Sequence, residues 1–520
     1  MGYWGSEVRI LSSRPEKYME TEKIKFGTDG WRAIIAEDFT FSNLRIVAES
    51  ICRYLKKNNQ AGRGLFIGYD NRFLSEDFAA LCAGVVSEQD IKTFLSSVSV
   101  PTPVTAFMSV DMGLDGSIMI TASHNPAKYN GIKFISSYGG PAQDETTREI
   151  EKHLTGILNE KKGSDYIAQG YGFSGGRVSG SLRAAGSGNG NITRVSDFSN
   201  YKEKLAGLID TDLIIKSKPL IAVDTMNGAA GEIFPEILRG YFSDGFKLYN
   251  SNRDTLFGGK LPDPSEKNLG VFKQKILAEK AEIGIALDGD ADRFGAIDGN
   301  GYYISPNNAI SLILYYFIEK KRNLSTDVAV RTVATTHLID EIGSGAGMEV
   351  IETPVGFKYI AKEMLGGNVL VGGEESGGLS IKGHIPEKDG LLAGLLLIEI
   401  QAYLKKYKNG MLLGQYLNEI YEKYGHFYNA RLDIEINPDN KKEVIEYFLN
   451  HDSRDADGLK VEEISDMDGA KVLFRDRSWI LVRASGTEPL IRCYIEARHK
   501  ESFLNLQQYA REAIENIAHI

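Results

Sequence analysis

Short apolar runs followed by polar loops and amphipathic stretches recur along most of the chain. The pattern occurs three times. Strands are predicted at 65–68, 220–223 and 328–330, and the helix that follows each of them is predicted at 76–86, at a segment ending near 238, and at 338–342. Alternating strands and helices indicate α/β layers with mainly parallel sheets, whose functional loops follow the carboxyl ends of the strands. Three copies of the pattern predict three similar mixed α/β/α domains.

The C-terminal part of the chain follows a different pattern. Strand-like runs at 430–436, 472–474, 480–483 and 491–497 are combined with helices at 441–449 and 503–517. This mixture predicts a smaller α+β C-terminal domain. A chain of 520 residues has room for three to four domains, and we place them at 1–205, 206–305, 306–425 and 426–520.

A Gly/Ser-rich stretch at 163–196 is interpreted as a mobile loop or linker. Inside it, Gly170 to Gly175 matches the GxGxxG pattern of dinucleotide sites, and Gly172 to Gly176 matches the GxSxG pattern of hydrolases. Neither segment follows a convincing strand or opens a helix, so the context that each motif requires is missing. We therefore expect neither a dinucleotide site nor a hydrolase nucleophile here.

Composition narrows the choice of partners. The net charge of -10 argues against nucleic acid or an anionic membrane as the main partner, but it leaves a small anionic substrate open. No apolar run reaches the ~18 residues of a membrane span, and the three cysteines (Cys52, Cys82 and Cys493) are far apart, as suits a reducing compartment. We expect a cytoplasmic protein, monomeric or dimeric, that binds a small molecule and neither nucleic acid nor membrane.

Three carboxylates at alternate positions form a candidate metal site. Asp288, Asp290 and Asp292 follow a strand-like run at 283–287. Alternate carboxylates at a strand end can converge on a hard cation such as Mg²⁺, with a substrate phosphate as a further ligand, and Arg293 would contact that phosphate. An EF-hand is excluded, because its sixth and twelfth positions would be arginine and glycine. A solvated acidic turn is the alternative on these residues alone.

Ser123 is the candidate nucleophile. It lies in Thr121-Ala122-Ser123-His124-Asn125-Pro126, on a turn that we expect to be exposed after a strand at 117–121. His124 beside it and Lys133 downstream are candidate partners, although an ordinary surface lysine is the alternative for Lys133. A hydroxyl nucleophile next to a divalent cation is the equipment of phosphoryl transfer, in which catalysis is mostly positioning and charge neutralisation.

Two further loops suit a phosphorylated sugar. Arg483 begins the segment Arg483-Ala484-Ser485-Gly486-Thr487-Glu488-Pro489, and Arg492 lies on the next strand. Backbone N–H groups, hydroxyls and arginines are the donors that a phosphate dianion needs. In 372–378, the adjacent carboxylates of Glu374 and Glu375 suit the hydroxyl donors of a sugar. An ordinary turn and a solvated loop are the respective alternatives.

Five segments, taken in order, resemble the α-D-phosphohexomutase family. They are Gly27–Arg32, the Ser123 loop, Asp288–Arg293, Glu374–Ser376 and Arg483–Pro489, which together cover nearly the whole chain. The resemblance implies that three similar α/β domains and a smaller fourth surround a deep central cleft. It also implies a phosphoserine at position 123 and Mg²⁺ held by Ser123 and the three aspartates.

The resemblance supplies a reaction as well. The phosphoserine would give its phosphate to a hexose 1-phosphate, and the resulting bisphosphate would reverse its orientation in the cleft and return its other phosphate to the serine. For glucose this intermediate is glucose 1,6-bisphosphate, which is also the primer. The implied site residues are Arg32, Lys133 and Arg293 for charge neutralisation, His124 and Lys388 for proton handling, Glu374, Ser376 and His384 for the sugar, and Arg483, Ser485, Gly486, Thr487 and Arg492 for the other phosphate.

The predicted substrate is glucose 1-phosphate. Thr353–Lys358 and Glu374–Ser376 look closest to phosphoglucomutases, and Phe357 and Gly378 stand where the dual-specificity phosphomannomutase/phosphoglucomutase branch tends to have histidine. Mannose phosphates are the leading alternative, followed by pentose phosphates. Rivals from other classes are a non-catalytic relative that binds sugar phosphates and a metal-dependent phosphatase.

Overall fold

The computed structural model describes residues 24–25, 30–161, 192–243, 245–322, 324–450, 459–485 and 489–518. Within these residues, the strands form four sheets of six, five, four and five strands. Helices flank the first three sheets, whereas the last sheet has helices and strands in an α+β arrangement. The predicted fold class of three mixed α/β/α units and a smaller α+β unit is confirmed.

The first sheet contains β1 (Trp31–Ile34), β2 (Leu65–Tyr69), β3 (Thr93–Ser96), β4 (Gly116–Ile120), β5 (Tyr129–Ser136) and β6 (Ile192–Val195), in the order β1-β5-β4-β2-β3-β6. Its helices are α1 (Phe41–Lys57), α2 (Ser75–Glu88), α3 (Thr102–Asp111) and α4 (Asp144–Lys161). Ile67 and Ile118 pack with α1, α2 and α4, whereas Phe66 and Met119 pack with α3. Neighbouring strand residues thus bury opposite faces of the sheet, as the period of two requires.

The second sheet contains β7 (Ile221–Asp224), β8 (Lys247–Tyr249), β9 (Ile283–Leu287), β10 (Phe294–Asp298) and β11 (Tyr303–Ile304), in the order β11-β10-β9-β7-β8. The helices of this part are α5 (Ser199–Ala206), α6 (Thr211–Ser217), α7 (Ile233–Phe242) and α8 (Gly270–Glu279), with short 3-10 turns at Ala229–Gly231, Phe257–Gly259 and Glu266–Asn268. Every residue of β9 is buried, so the strand delivers the aspartates directly into the interior.

The third sheet contains β12 (Val328–Thr332), β13 (Glu349–Thr353), β14 (Val369–Gly373) and β15 (Leu379–Ile381), in the order β13-β12-β14-β15. Its helices are α9 (Pro306–Glu319), α10 (Leu338–Gly345), α11 (Phe357–Met364), α12 (Gly390–Tyr407) and α13 (Leu413–Tyr424). α12 is buried over most of its length, and the carboxylate of Glu399 inside it accepts hydrogen bonds from Tyr316 and Arg322, each at 2.9 Å. No helix in the described ranges is long and apolar enough to cross a membrane.

The fourth sheet contains β16 (Tyr428–Glu435), β17 (Val461–Ser465), β18 (Ala470–Phe474), β19 (Trp479–Ala484) and β20 (Leu490–Ala497), all antiparallel, in the order β16-β20-β19-β18-β17. A 3-10 turn at Pro438–Asn440 precedes α14 (Lys441–Leu449), and the last helix is α15 (Lys500–Ile517). Both helices pack on the sheet through a compact apolar cluster that includes Val444, Val482 and Leu506.

The first three sheets have the parallel centres that the sequence predicts, with antiparallel strands added at one edge. In each sheet a parallel centre ends in an antiparallel pair, formed by β4 with β5, β9 with β10, and β14 with β15. Each of these antiparallel pairs is a hairpin, and its loop is one that we predicted to be functional. The prediction missed the return strands because their pairing is set across the sheet and not by the local sequence pattern.

Part of the predicted Gly/Ser-rich linker is a strand. Residues 192–195 form β6, which pairs in parallel with β3 at the edge of the first sheet. The preceding residues of that stretch, together with both glycine motifs at 170–176, lie outside the described residues.

Candidate active site

Four hairpin loops carry the predicted chemistry. The loop of Ser123 joins β4 to β5, the loop of the three aspartates joins β9 to β10, the loop of Glu374 joins β14 to β15, and the loop after Arg483 joins β19 to β20. Contacts described below connect each loop to the next one in chain order. Residues from four separate parts of the sequence therefore contribute to one site.

Ser123 is buried, with 1% of its surface exposed, and its φ of 51° lies in the left-handed region. Its hydroxyl donates to Oδ2 of Asp288 at 3.1 Å and lies 3.3 Å from Nδ1 of His124. The predicted exposed turn is thus wrong, because the aspartate loop packs on it. A Cβ atom at Gly289 would stand 2.5 Å from the carbonyl oxygen of Ser123, so only glycine permits this close approach.

The three aspartates form a compact buried cluster. Ligand atoms of Asp288, Asp290 and Asp292 lie within 4.8 Å of one another. Lys133 donates to Oδ2 of Asp290 at 3.0 Å and to Oδ2 of Asp292 at 2.9 Å, and the hydroxyl of Thr102 donates to Asp290 at 2.6 Å. The predicted charge partner Lys133 is therefore inside the site, while Thr102 had no signal in the sequence.

These carboxylates have unequal proton affinities. Burial, together with the charges of Asp290 and Asp292, raises the pKa of Asp288 well above its ordinary value. Burial would also raise the pKa of Asp290, but the Lys133 ammonium and the Thr102 hydroxyl outweigh it and lower that pKa. The cluster therefore gains stability from any additional positive charge beside Asp288.

The donor set fits a hard divalent cation. All three side chains offer oxygen ligands, which Mg²⁺ prefers. In the described part of the chain, Oδ1 of Asp290 and Oδ1 of Asp292 are buried without a hydrogen-bond partner. Buried carboxylate oxygens in this state are costly unless a cation or a donor satisfies them.

Positive and neutral groups surround the serine. Arg32 donates to the side-chain oxygen of Asn125 at 2.9 Å. The backbone amide of Arg293 donates to Asp288 at 3.0 Å, and nearby carboxylates, led by Asp292, outweigh burial and raise the pKa of Arg293. Burial and the charges of Arg293 and Arg32 lower the pKa of His124 well below its ordinary value. The imidazole beside Ser123 is therefore neutral at neutral pH.

The third domain adds a carboxylate from the loop between β14 and β15 and a lysine from the segment between β15 and α12. Nζ of Lys388 lies 3.6 Å from Oδ2 of Asp292 and 3.2 Å from Oε1 of Glu387. Glu374 is buried, and its Oε1 accepts a hydrogen bond from Ser376 at 2.7 Å. A Cβ atom at Gly378 would stand 2.7 Å from Cδ of Lys388 and 2.8 Å from Oε1 of Glu374. Glycine at 378 therefore leaves the space that Lys388 occupies.

The fourth sheet contributes two arginines. Arg483 on β19 and Arg492 on β20 are directly opposite each other in an antiparallel pair. Like charges in this position repel, and an anion bound by both guanidinium groups would relieve the repulsion. Arg483 also forms an ion pair with Asp468 at 2.8 Å, and Ser485 at the end of the strand is buried. Gly486 and Thr487 lie outside the described residues.

An electrostatic contact joins the third and fourth parts of the site. Burial and the adjacent Glu374 raise the pKa of Glu375, whereas Arg431 and Arg483 act in the opposite direction. Arg431 and Arg483 are therefore close enough to the loop that carries Glu374 to interact electrostatically with its carboxylates. Asp468 strengthens the junction by accepting a 2.8 Å hydrogen bond from the amide of Val355.

Comparison with known protein families agrees with this arrangement. Four families described as phosphoglucomutase/phosphomannomutase match the chain in order: α/β/α domain I at residues 23–161, domain II at 199–301, domain III at 305–424 and the C-terminal domain at 449–513. The chain belongs to the phosphoglucomutase/phosphomannomutase family.

Relatives in this α-D-phosphohexomutase family have different names. A phosphoglucomutase/phosphomannomutase of Thermococcus kodakarensis is 30% identical and covers 92% of this chain and 95% of its own. A probable phosphoglucosamine mutase of Methanosphaera stadtmanae is 31% identical and covers 95% of this chain and 98% of its own. The crystal structure of a putative phosphomannomutase from Thermus thermophilus aligns with a TM-score of 0.77 at 29% identity, over 95% of this chain and 99% of that one. Family membership therefore leaves the sugar open.

One predicted site residue of this phosphohexomutase lies elsewhere. The side chain of His384 is buried, and its Nε2 is 2.8 Å from Oδ2 of Asp389. The hydroxyl of Tyr201 donates to the same oxygen at 2.8 Å, and the other carboxylate oxygen caps α12 by accepting from the amide of Leu392 at 3.0 Å. His384 thus supports the start of α12, and these contacts place its side chain in the interior instead of among the charged groups of the site.

Proposed function

We propose that this phosphohexomutase interconverts glucose 1-phosphate and glucose 6-phosphate through a phosphoserine at position 123 and a 1,6-bisphosphate intermediate. The observation that carries the proposal is the placement of the Ser123 hydroxyl, 3.1 Å from Asp288 and inside a cluster of three carboxylates and several cations. A buried serine without a chemical task has no need of such surroundings. Phosphoryl transfer needs them, because its catalysis is mainly positioning and charge neutralisation.

The proposed reaction moves one phosphoryl group in each half. In the first half, O6 of glucose 1-phosphate attacks the phosphorus on Ser123, the P–Oγ bond breaks, and the hydroxyl proton passes to a base. In the second half, the serine oxygen attacks the phosphate at C1 of the reoriented bisphosphate, the P–O1 bond breaks, and O1 takes up the proton that O6 released in the first half, which gives glucose 6-phosphate. His124 and Lys388 are the proposed proton carriers, because His124 lies 3.3 Å from the serine hydroxyl and Lys388 lies 3.6 Å from Asp292 in the adjacent carboxylate cluster.

Charge neutralisation is assigned to residues around the serine. Arg32, Lys133 and Arg293 would offset the charge on the transferring phosphoryl group. Mg²⁺ held by Asp288, Asp290, Asp292 and the phosphorylated Ser123 would supply further neutralisation at the phosphate oxygens. The three aspartates suit that role because their oxygens are buried and close together.

A bisphosphate that must bind in two orientations needs a second, fixed phosphate site. We assign that site to Arg483, Ser485, Gly486, Thr487 and Arg492, since paired arginines and hydroxyls bind phosphate dianions well. Glu374 and Ser376 would hold the sugar hydroxyls in either orientation. A second phosphate site would retain the bisphosphate, which favours a mutase over a phosphatase that releases inorganic phosphate.

The choice of glucose as the sugar rests on two segments of the sequence. The segments around Phe357 and Gly378 favour glucose, and in the structure Gly378 leaves room for Lys388. Because relatives have names that refer to glucose, mannose and glucosamine phosphates, the sugar must be measured.

The test compares initial rates on the 1-phosphates of glucose, mannose, glucosamine and ribose, each with Mg²⁺ and a trace of the matching bisphosphate. A clear preference for glucose 1-phosphate supports the proposal, and comparable rates with mannose would make the enzyme dual. A preference for glucosamine or ribose would contradict the glucose assignment. Release of inorganic phosphate without isomerisation would favour the phosphatase, and no reaction with any sugar would favour a binding protein.

A further inference from the structure

Arg72, in the loop after β2, lies directly behind the Ser123 loop. Its side chain is completely buried, and its guanidinium donates to four backbone carbonyl oxygens of that loop. The acceptors and distances are Ser123 at 2.6 Å, Asn125 at 2.7 Å, Pro126 at 2.9 Å and Tyr129 at 3.1 Å. One arginine therefore fixes the backbone at the serine and along the residues that follow it.

A buried carboxylate holds this arginine in place. Asp70 accepts from Nε of Arg72 at 3.1 Å and from its backbone amide at 3.0 Å. The same carboxylate accepts from the hydroxyls of Ser75 and Thr121, each at 2.7 Å. The Thr121 hydroxyl in turn accepts from the amide of Ser123 at 2.8 Å. The contacts thus run from Asp70 to the serine along two routes, one through Arg72 and one through Thr121.

The backbone at Ser123 needs such support. A non-glycine residue with φ of 51° is in a region that costs free energy, and it persists only where the surroundings impose it. The planar guanidinium offers five N–H donors in fixed directions, which allows it to bind four carbonyls and a carboxylate together.

We propose that Arg72 is a positioning residue for Ser123, which sets the location of the serine oxygen relative to the carboxylate cluster without contacting the substrate. The inference rests on the proposed function of Ser123 as phosphate carrier. Small misplacements of reacting groups are expensive, since a shift of about 1 Å can lower the rate about 10²-fold. Lysine cannot replace Arg72, because its single ammonium has three donors and no fork.

The test compares the variants Arg72→Lys and Arg322→Lys in the full-length protein. Arg322 is a matched control, because it also pairs with a buried carboxylate, Glu399, at 2.9 Å and donates to a backbone carbonyl, that of Leu208, at 2.6 Å. For Arg72→Lys we expect kcat to fall about 10²-fold while KM changes less than about threefold, because the phosphate clamp of the fourth sheet is unchanged. For Arg322→Lys we expect both constants to stay within about threefold of the wild type.

A purely structural role would lower stability in both variants and leave kcat per folded molecule unchanged. Retention of more than about a third of the wild-type kcat in Arg72→Lys would therefore overturn the inference. A second readout is rescue of Arg72→Ala by millimolar guanidinium, with methylammonium as the control ion. Guanidinium should restore part of kcat and methylammonium should not, since only guanidinium reproduces the planar fork. Equal rescue by the two ions, or none by either, would contradict the proposed geometry.

If the Arg72 variants fail to fold, Asp70→Asn decides the question. This variant keeps the shape of the side chain but weakens its hold on Arg72, so kcat should fall about tenfold at nearly constant KM. Wild-type kcat in Asp70→Asn would overturn the inference. A wild-type protein that isomerises no sugar phosphate would overturn the proposed function and this inference with it, whereas an active wild type with an active Arg72→Lys variant overturns the inference alone.

Discussion

Lys133 shows how single residues set the electrostatics of this site. Its ammonium lies 3.0 Å from Asp290 and 2.9 Å from Asp292, and it is buried together with both carboxylates. Charges in such surroundings interact strongly, because solvent screens them poorly. Among the described residues, Oδ1 of Asp290 and Oδ1 of Asp292 have no hydrogen-bond partner, which is why we assign a divalent cation to the cluster.

The assignment predicts the behaviour of Asp290→Asn. Loss of one carboxylate charge should raise the Mg²⁺ concentration for half-maximal rate about 10- to 100-fold, because a neutral amide is a much weaker ligand for a hard cation. The measurement is a Mg²⁺ titration of the initial rate after treatment with a chelator. Asp254→Asn is the control, since this carboxylate caps a loop of the same domain by accepting from Leu256 and Gly258, each at 2.9 Å. An unchanged Mg²⁺ requirement in Asp290→Asn would refute the metal site.

Gly378→Ala tests the space around Lys388. The new methyl group would stand 2.7 Å from Cδ of Lys388, closer than packed atoms allow, so the ammonium must move away from Asp292. We expect kcat to fall about tenfold. Gly240→Ala, in α7, is the control, because a Cβ atom there meets no other atom within 4 Å. Wild-type kcat in Gly378→Ala would show that the position of Lys388 does not limit turnover.

At the scale of elements, the loop-bearing strands were predictable and their pairing was not. The apolar alternation of Ile283, Ile285 and Leu287 predicts β9, and the run at 117–121 predicts β4, each within one residue of its observed end. The second strand of each hairpin is defined by pairing across the sheet, which the local alternation of apolar and polar residues does not reveal. The burial of Ser123 depends on Gly289, which reaches it only through the tertiary fold.

Loss of an arginine from the hairpin of β19 and β20 should weaken substrate binding more than it slows the chemical step. Arg483→Met removes one charged donor from the proposed phosphate clamp, and a hydrogen bond to a charged group contributes about 1.5–3 kcal/mol. We therefore expect KM for glucose 1-phosphate to rise about 10- to 100-fold with a smaller change in kcat. Arg511→Met serves as the control, since Arg511 is an exposed residue of α15 in the same domain. An unchanged KM in Arg483→Met would argue against a clamp at this hairpin.

At the scale of the whole molecule, the site exists only because successive domains interlock. The amide of Thr102 donates to the carbonyl of Asp290 at 2.9 Å, joining the first and second domains, and the amide of Gly390 donates to the carbonyl of Ala291 at 3.1 Å, joining the second and third. No sequence pattern indicates these contacts, because their partners are far apart in the chain. Residue types, spacing and the family resemblance predicted Ser123, the three aspartates and the arginines as site residues, whereas the contacts of Thr102, Asp70 and Arg72 are visible only in the fold.

Replacement of Asn71 tests how much one such junction contributes to the free energy of unfolding. Its side-chain amide donates to the carbonyls of Asn227 and Gly228, each at 2.8 Å, between the first and second domains. Asn71→Ala should lower the apparent free energy of unfolding by about 1–3 kcal/mol, because the carbonyls lose their donors in a buried junction. Urea unfolding measures the change, with Asn505→Ala on the exposed side of α15 as the control. Equal stability of the two variants would mean that the junction tolerates the loss, for example through water.

The central claim is that Ser123 carries the phosphate during the reaction, and transfer of label from glucose 1,6-bisphosphate tests it most directly. The wild-type protein should take up one phosphate from ³²P-labelled bisphosphate, peptide mass spectrometry should place it on Ser123, and added glucose 1-phosphate should remove it as sugar bisphosphate. Ser123→Ala should take up no label and show no more than a trace of turnover. Label on another residue, or substantial turnover by Ser123→Ala, would contradict the claim.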